Sequence, residues 1–248
     1  MKSLLVIIKR IACLLTIFIY ANCSYKQLTA EMIVKNSIEK HGGIKTWNSL
    51  KVLSFDKSVT LFLEDGTIES DIKKHQEFTF YPELKGEITW RTNDKRSLII
   101  YEKGEISKFV NDSLITNLAD LQKAKNSFNA ALYVISQPFN FLNENTQLTY
   151  LGVTSLENKK VHEINVGYIN DTAASDKWFY YFDVKTFKMI GNKVVLKEHT
   201  SLLENSTFDT TTDFIFNQSR KSYRLNDKGD KTYVRATYFY DNFKTQYQ

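Results

Sequence analysis

The sequence predicts a mainly β protein: a curved antiparallel sheet, an open half-barrel of about ten strands, covered on its concave side by helices. Three observations carry this. Period-two alternation recurs from Val52 to Phe243, helical spacing interrupts it at 28–41 and 121–135, and only 2 Pro and 9 Gly occur in 248 residues. With so few breakers there is no linker, and a single domain over residues 28–248 is expected.

The first helix is read between Leu28 and His41, where Ala30, Ile33, Val34, Ser37, Ile38 and His41 fall at spacings of three and four on one face. Thr29 is its expected cap and Gly42-Gly43 its stop. Trp47 and Leu50 lie in a short segment beyond and begin to cover that face. From Val52 the period becomes two, with Phe55, Lys57, Val59, Leu61 and Leu63 in phase; Glu64-Asp65-Gly66 turns the chain into a second strand, 67–80. Shorter strands are expected at 86–92, 96–101 and 106–110, hinged at Asn93-Asp94 and Lys103-Gly104. Asn117 then caps a second long helix whose apolar face is Leu121, Ala124, Phe128, Ala131, Leu132 and Ile135, ended by Pro138. Strands resume at 148–153, 161–168, 178–182, 189–196, 208–216 and 232–243, with Asp183 to Thr186 and Asn226 to Gly229 as tight connections.

The 33 Lys and Arg against 28 Asp and Glu give a net charge of +5. Residues 1–22 hold Lys2, Lys9 and Arg10 and no acid, so a chain without them carries +2. That balance disfavours nucleic acid as a partner. The segment has the basic start and apolar centre of an export signal. Its run after Arg10, Ile11 to Ala21, is 11 residues, well short of the ~20 that a helix needs to span a bilayer. It ends in Ile19-Tyr-Ala-Asn-Cys23, which resembles a bacterial lipobox. Cys23 is the expected lipid-attachment residue, residues 1–22 the signal peptide and residues 23–27 a short tether; the alternative is ordinary secretion, with cleavage after Ala21 or nearby and Cys23 left free. No Cys follows Cys23, as suits an exported chain whose one thiol is acylated.

Catalytic signals are absent. The four histidines, His41, His75, His162 and His199, are far apart and lack metal-ligand spacing, and there is no Gly-x-Ser-x-Gly or Gly-rich phosphate loop. No catalytic residue, metal ligand or cofactor is assigned. His41 is expected to close a helix as an imidazolium facing the dipole, His75 to be solvated, and His162, in phase with Ile164, to be a satisfied core or groove residue. Lys57, Lys73, Lys74, Lys95 and Arg96 are expected to belong to a surface balanced by interleaved acids.

The order of these features, a lipobox, a helix ending in His41-Gly42-Gly43, Trp47, the strand opening Leu50 to Phe55 and the aromatic run Lys177 to Phe187, resembles LolA-like outer-membrane lipoproteins of the Bacteroidota. The resemblance implies a half-barrel with an apolar cleft for acyl chains, held by its lipid at the outer membrane and facing the periplasm. On that shape the residues expected to line the cleft are Phe128 and Leu132 from the helix, and Phe78, Trp90, Ile164, Trp178 and Tyr180 from strands. The expected function is non-enzymatic binding of a lipid, acyl chain or acylated protein, with no protein partner specified. The alternatives are an envelope scaffold with a close-packed core and, below it, a periplasmic hydrolase built on His162 or His199.

Overall fold

The structure, a computed structural model, describes residues 28–248. The leader, Cys23 and the tether lie outside the described residues. Helix α1 (Ala30–Lys40) starts where Thr29 Oγ1 accepts the Met32 N–H and buries Ala30, Ile33, Val34, Ser37 and Ile38, the face expected from spacing. A short helix α2 (Ile44–Ser49) leads into a run of strands: β1 (Leu50–Phe62), β2 (Ile68–Thr79), β3 (Lys85–Thr92), β4 (Lys95–Glu102), β5 (Glu105–Val110) and β6 (Ser113–Leu114). Helix α3 (Leu118–Ile135) and a 3₁₀ turn (Phe139–Leu142) follow. The chain then forms β7 (Thr146–Leu156), β8 (Lys159–Tyr168), β9 (Lys177–Asp183), β10 (Met189–Val195), β11 (Thr200–Asp209), β12 (Phe216–Leu225) and β13 (Lys231–Tyr247).

All these strands form one antiparallel sheet in the order β6-β5-β4-β3-β2-β1-β13-β12-β11-β10-β9-β8-β7. The first half of the chain walks outward from β1 to one edge, and the second walks back from the opposite edge to β13, which pairs with β1 at the centre. Helix α3 and the 3₁₀ turn carry the chain from one edge to the other. The 18 residues of α3 reach about 27 Å, roughly half the ~58 Å that thirteen strands would span laid flat. The curl of the sheet is therefore what lets the helix bridge it.

Along the concave side Leu53, Phe55, Phe78, Ile88, Ile99, Ile164, Val166, Tyr180 and Phe182 meet Ala124, Phe128 and Ile135 of α3 and Ile33, Val34 and Ile38 of α1 in one core. Phe128 is the seat of the crossing helix. Its ring stacks on Tyr101 at 4.6 Å, lies 5.5 Å from Phe78, and covers Gly86, where an added Cβ would fall 2.6 Å from Phe128 Cε2 and 3.0 Å from the Glu77 carbonyl oxygen.

The sheet has 13 strands where about ten were expected. Turns Asn93-Asp94 and Lys103-Gly104 have positive φ at both central residues as hairpins favour, and Asn111-Asp112 adds a third such turn followed by the two-residue β6. The expected strand 208–216 is a more substantial miss. It straddles the end of β11, the connection 210–215 and the start of β12. Both strands bury polar side chains, Ser201, Asn205, Arg220 and Ser222, so hydrophobic alternation did not reveal them.

His41 also departs from expectation. It caps α1 but is 1% exposed and neutral: Nδ1 lies 2.7 Å from the Ile215 carbonyl, to which it donates, and Nε2 accepts the Met189 N–H at 3.2 Å. Burial pushes its pKa down to about 4. Next to it Gly42, at φ +126°, leaves no room for a Cβ, which would sit 2.7 Å from the Asp213 carbonyl oxygen. The two residues pin the end of α1 to β10 and to the β11–β12 connection.

Two outcomes follow. Because the unfolded imidazole titrates near 6.5 and the folded one near 4, acidification protonates the unfolded chain first. Stability is full above about pH 6.5 and falls by on the order of 3 kcal/mol as the pH drops to about 4, then levels for this group. Urea titrations across that range, compared with His41→Gln, read this contribution. Gly86→Ala is expected to destabilise the fold by about 1–3 kcal/mol by lifting Phe128, measurable as a lower midpoint at unchanged slope.

Candidate functional site

A cleft of about 1080 Å³ opens between the α1–α2 pair and the C-terminal half of α3. Ile38 of α1 and Ile44 and Trp47 of α2 form one wall, Leu132 and Tyr133 of α3 with Phe139 and Leu142 of the 3₁₀ turn form the other, and Phe80 and Leu84 from the β2–β3 connection close one end. Polar residues, Lys35, Glu39, Asn48, Asn129, Ser136, Asn140 and Asn143, complete the lining.

Trp47 is the hub. Helix α2 is too short to bury a face of its own, and no residue of it is fully buried. Its indole instead stacks on Phe139 with ring centres 4.4 Å apart and planes 3° from parallel, and meets Phe80 and Phe214 edge-on at 5.3 and 5.7 Å. These aromatic contacts, each favourable beyond its area, tie the helical wall to the sheet, leaving apolar side chains facing the opening. Ile44 and Leu142 are 36% and 37% exposed. On the other wall Tyr133 is held by hydrogen bonding to the Tyr180 hydroxyl at 2.8 Å, to which Gln137 Nε2 also donates at 3.0 Å. The Asn140 Oδ1 is buried with no partner among the described residues.

Of the seven residues expected to line a cleft, Leu132 borders this one. Phe78, Phe128, Ile164 and Tyr180 are fully buried in the core beneath α3, and Trp90 and Trp178 are half-buried against it. Helix α3 occupies the middle of the concave face and displaces the opening to its flank. Of the lining residues that sequence reasoning missed, Ile44, Trp47, Phe139 and Leu142 lie in segments too short for a periodic face, while Ile38 was read on the buried face of α1 and not at an opening. Their signal was two aromatics, Trp47 and Phe139, in runs that no strand or long helix claimed.

His41, His75 and His162 are each hydrogen-bonded to a group other than a Ser or Thr hydroxyl, and His199 has no side-chain hydrogen bond among the described residues. His162 is 6% exposed, has Nδ1 2.9 Å from the Tyr150 hydroxyl, and burial lowers its pKa. His75 meets Asp56 at 2.8 Å on the convex side. Burial alone would raise the Asp56 carboxyl, but hydrogen bonds from His75, Asn242 and Lys73 hold it at about 2. Among the described residues no histidine is hydrogen-bonded to a Ser or Thr hydroxyl. No group of three or more His, Cys, Asp and Glu gathers there to hold a metal ion. None of the helices described is long and apolar enough to cross a membrane.

No protein-family model matches the chain, and no curated protein resembles it in sequence. Solved structures do resemble it in shape. A LolA superfamily protein from Nitrosomonas europaea superposes with a TM-score of 0.56 at 10% identity, over 88% of this chain and 94% of that one. The chain shares its fold with that protein. A DUF1329 family protein from Desulfovibrio piger gives 0.54 at 7% identity over 88% and 93%. A domain named for outer-membrane lipoprotein sorting, from Vibrio parahaemolyticus, gives 0.54 at 9% over 88% and 92%. At these identities the LolA-like likeness is one of backbone architecture: an open curved sheet crossed by a helix.

Proposed function

We propose that the chain is a lipid-anchored envelope protein that binds an acyl chain or similar hydrophobe, without catalysis, in the cleft between α2 and α3. The observation that carries this is the cleft itself. Its volume of about 1080 Å³ lies at the upper end of small-molecule pockets, and its core residues, from Ile38 to Leu142, are apolar with a few polar groups among them. Each methylene taken from water into such a lining contributes about 0.8 kcal/mol, so a long acyl chain would bind through many small equal contributions. The likeness of the fold to a LolA superfamily protein and to a domain named for lipoprotein sorting supports the same reading.

Solvent extraction of the purified full-length protein, followed by mass spectrometry, is expected to release a bound lipid. Leu132→Glu places a carboxylate in the apolar lining and is expected to weaken binding of a fluorescent fatty acid at least about tenfold, while the half-buried site keeps the melting temperature close to that of the parent. An empty extract together with unchanged fatty-acid affinity in the variant would sink the proposal.

Anchoring through Cys23 places the cleft beside a bilayer, with the outer membrane and its periplasmic face as the proposed site. Two or more acyl chains on that thiol would make the attachment essentially permanent. Metabolic labelling with palmitate is expected to mark the protein in membranes, and Cys23→Ala is expected to abolish both the label and membrane sedimentation.

A further inference from the structure

The concave face continues past α3, and there its chemistry reverses. Phe80 borders the apolar cleft and Phe78 lies against Phe128 under the helix. The next residues of β2 in phase are Gln76 and Lys74, which puts Lys74 about 20 Å from Phe80, on the far flank of α3. Lys74 stands directly opposite Lys57 of β1 and Trp90 of β3, and Lys57 stands opposite Tyr240 of β13. The Lys74 Nζ lies 4.7 Å from the Trp90 ring centre, and the Lys57 Nζ lies 5.3 and 5.4 Å from those of Tyr238 and Tyr240. Across β13, Arg220 is 3% exposed and donates to neutral amides, Nε to Asn205 Oδ1 at 2.8 Å and Nη2 to Asn192 Oδ1 at 3.0 Å.

None of the ion pairs among the described residues includes Lys57, Lys74 or Arg220. The acids expected to balance them point the other way. Lys73, one residue along β2, pairs with Asp56 and Asp241 on the convex face. The pleat thus sorts the charges expected to interleave, turning Lys73 and its acids to the outer face and Lys57 and Lys74 to the inner one. Like charges directly opposite each other on paired strands are destabilising, and a buried cation is normally paired. Nothing in the packing requires this arrangement. The local field is strong: burial would raise the Tyr240 phenol, yet Lys57 and Arg220 hold its pKa below the ordinary value.

We propose that this part of the concave face is an anion site that takes a phosphate group between Lys57 and Lys74, in the positive field of Arg220, with the Trp90 and Tyr238 rings flanking the body that carries the phosphate. Rings stabilise an ammonium without neutralising it. A phosphate dianion would supply the missing countercharge and remove the repulsion between the two lysines. Burial and the adjacent Lys57 lower the Lys74 pKa, and a bound anion opposes both effects.

The test is calorimetric titration of the full-length protein in uncharged detergent with inorganic phosphate and with dihexanoyl phosphatidic acid, with dihexanoylglycerol as the phosphate-free control. Both phosphate probes are expected to bind and to raise the melting temperature, and the control is not. A lipid headgroup is the source if the phosphatidic acid binds at least about tenfold more tightly than inorganic phosphate; comparable affinities assign the site to free phosphate or small phosphate esters. The double variant K57Q/K74Q is expected to lose at least about tenfold in affinity for both, whereas K73Q, on the opposite face, keeps parental affinity. Without phosphate, the double variant is expected to melt at or above the parental temperature. Lysines that serve only to pack on rings would give a lower one. Lys74→Gln alone, with Lys57 left on its two rings, is expected to weaken binding several-fold and covers the case in which the double variant misfolds. The proposal is overturned if neither phosphate probe binds at millimolar concentration, or if the double variant binds as the parent does.

Discussion

The contact of Phe128 with the bare backbone of Gly86 holds α3 across the curled sheet, and both flanks of the concave face are defined by where that helix lies. The contact needs two conditions at once. The helix must present a large ring to the sheet, and the strand beneath must have no side chain at that point. The ring then reaches Phe78 and Tyr101 as well, so one residue couples α3 to β2, β3 and β4. Close packing at such a point leaves little tolerance for an added methyl group, which makes the helix a fixed divider of the trough.

The opposite wall of the cleft is fixed by polar means. His41, neutral and fully bonded, joins the end of α1 to two distant parts of the second half of the sheet, and Gly42 allows the chain to pass within contact of Phe214. From this anchored corner α2 projects Trp47 onto Phe139. A hydrogen-bonded pivot on one side and a stacked aromatic pair on the other keep two helical segments apart over a space they would otherwise close. Each wall is attached to the sheet, α1 through the Met189 N–H and α3 through Tyr180, and the two walls meet where Trp47 stacks on Phe139, which fixes their separation.

The concave face therefore presents two surfaces of opposite chemistry, separated by one helix. On one flank the strands and helices end in Phe80, Trp47 and Leu132; on the other they end in Lys57, Lys74 and Arg220. An amphiphile has the same two chemistries. That correspondence is a property of strand phase, since Phe80, Phe78, Gln76 and Lys74 of a single strand carry the surface from apolar to cationic with no change of side.

Sequence alone determined the elements whose signal is local. The face of α1 from Ala30 to Ile38, the Asn117 cap of α3 and the turn at Asn93-Asp94 each follow from spacing or turn chemistry within a few residues. The mainly β class with two helices set among the strands follows as well, because the change between period two and helical spacing is read within short windows. Strands β11 and β12 were lost because they bury Asn205 and Arg220, and a polar interior carries no hydrophobic period. The cleft lining and the cationic floor were decided by tertiary structure. Lys57 and Lys74 are 17 positions apart in the chain and become neighbours only through the β1–β2 register, while the pleat turns Lys73 and its acids to the other face. Trp47, Phe139 and Leu132 likewise meet only once the sheet has curled and α3 has been laid across it, a long-range event that no short window of residues encodes.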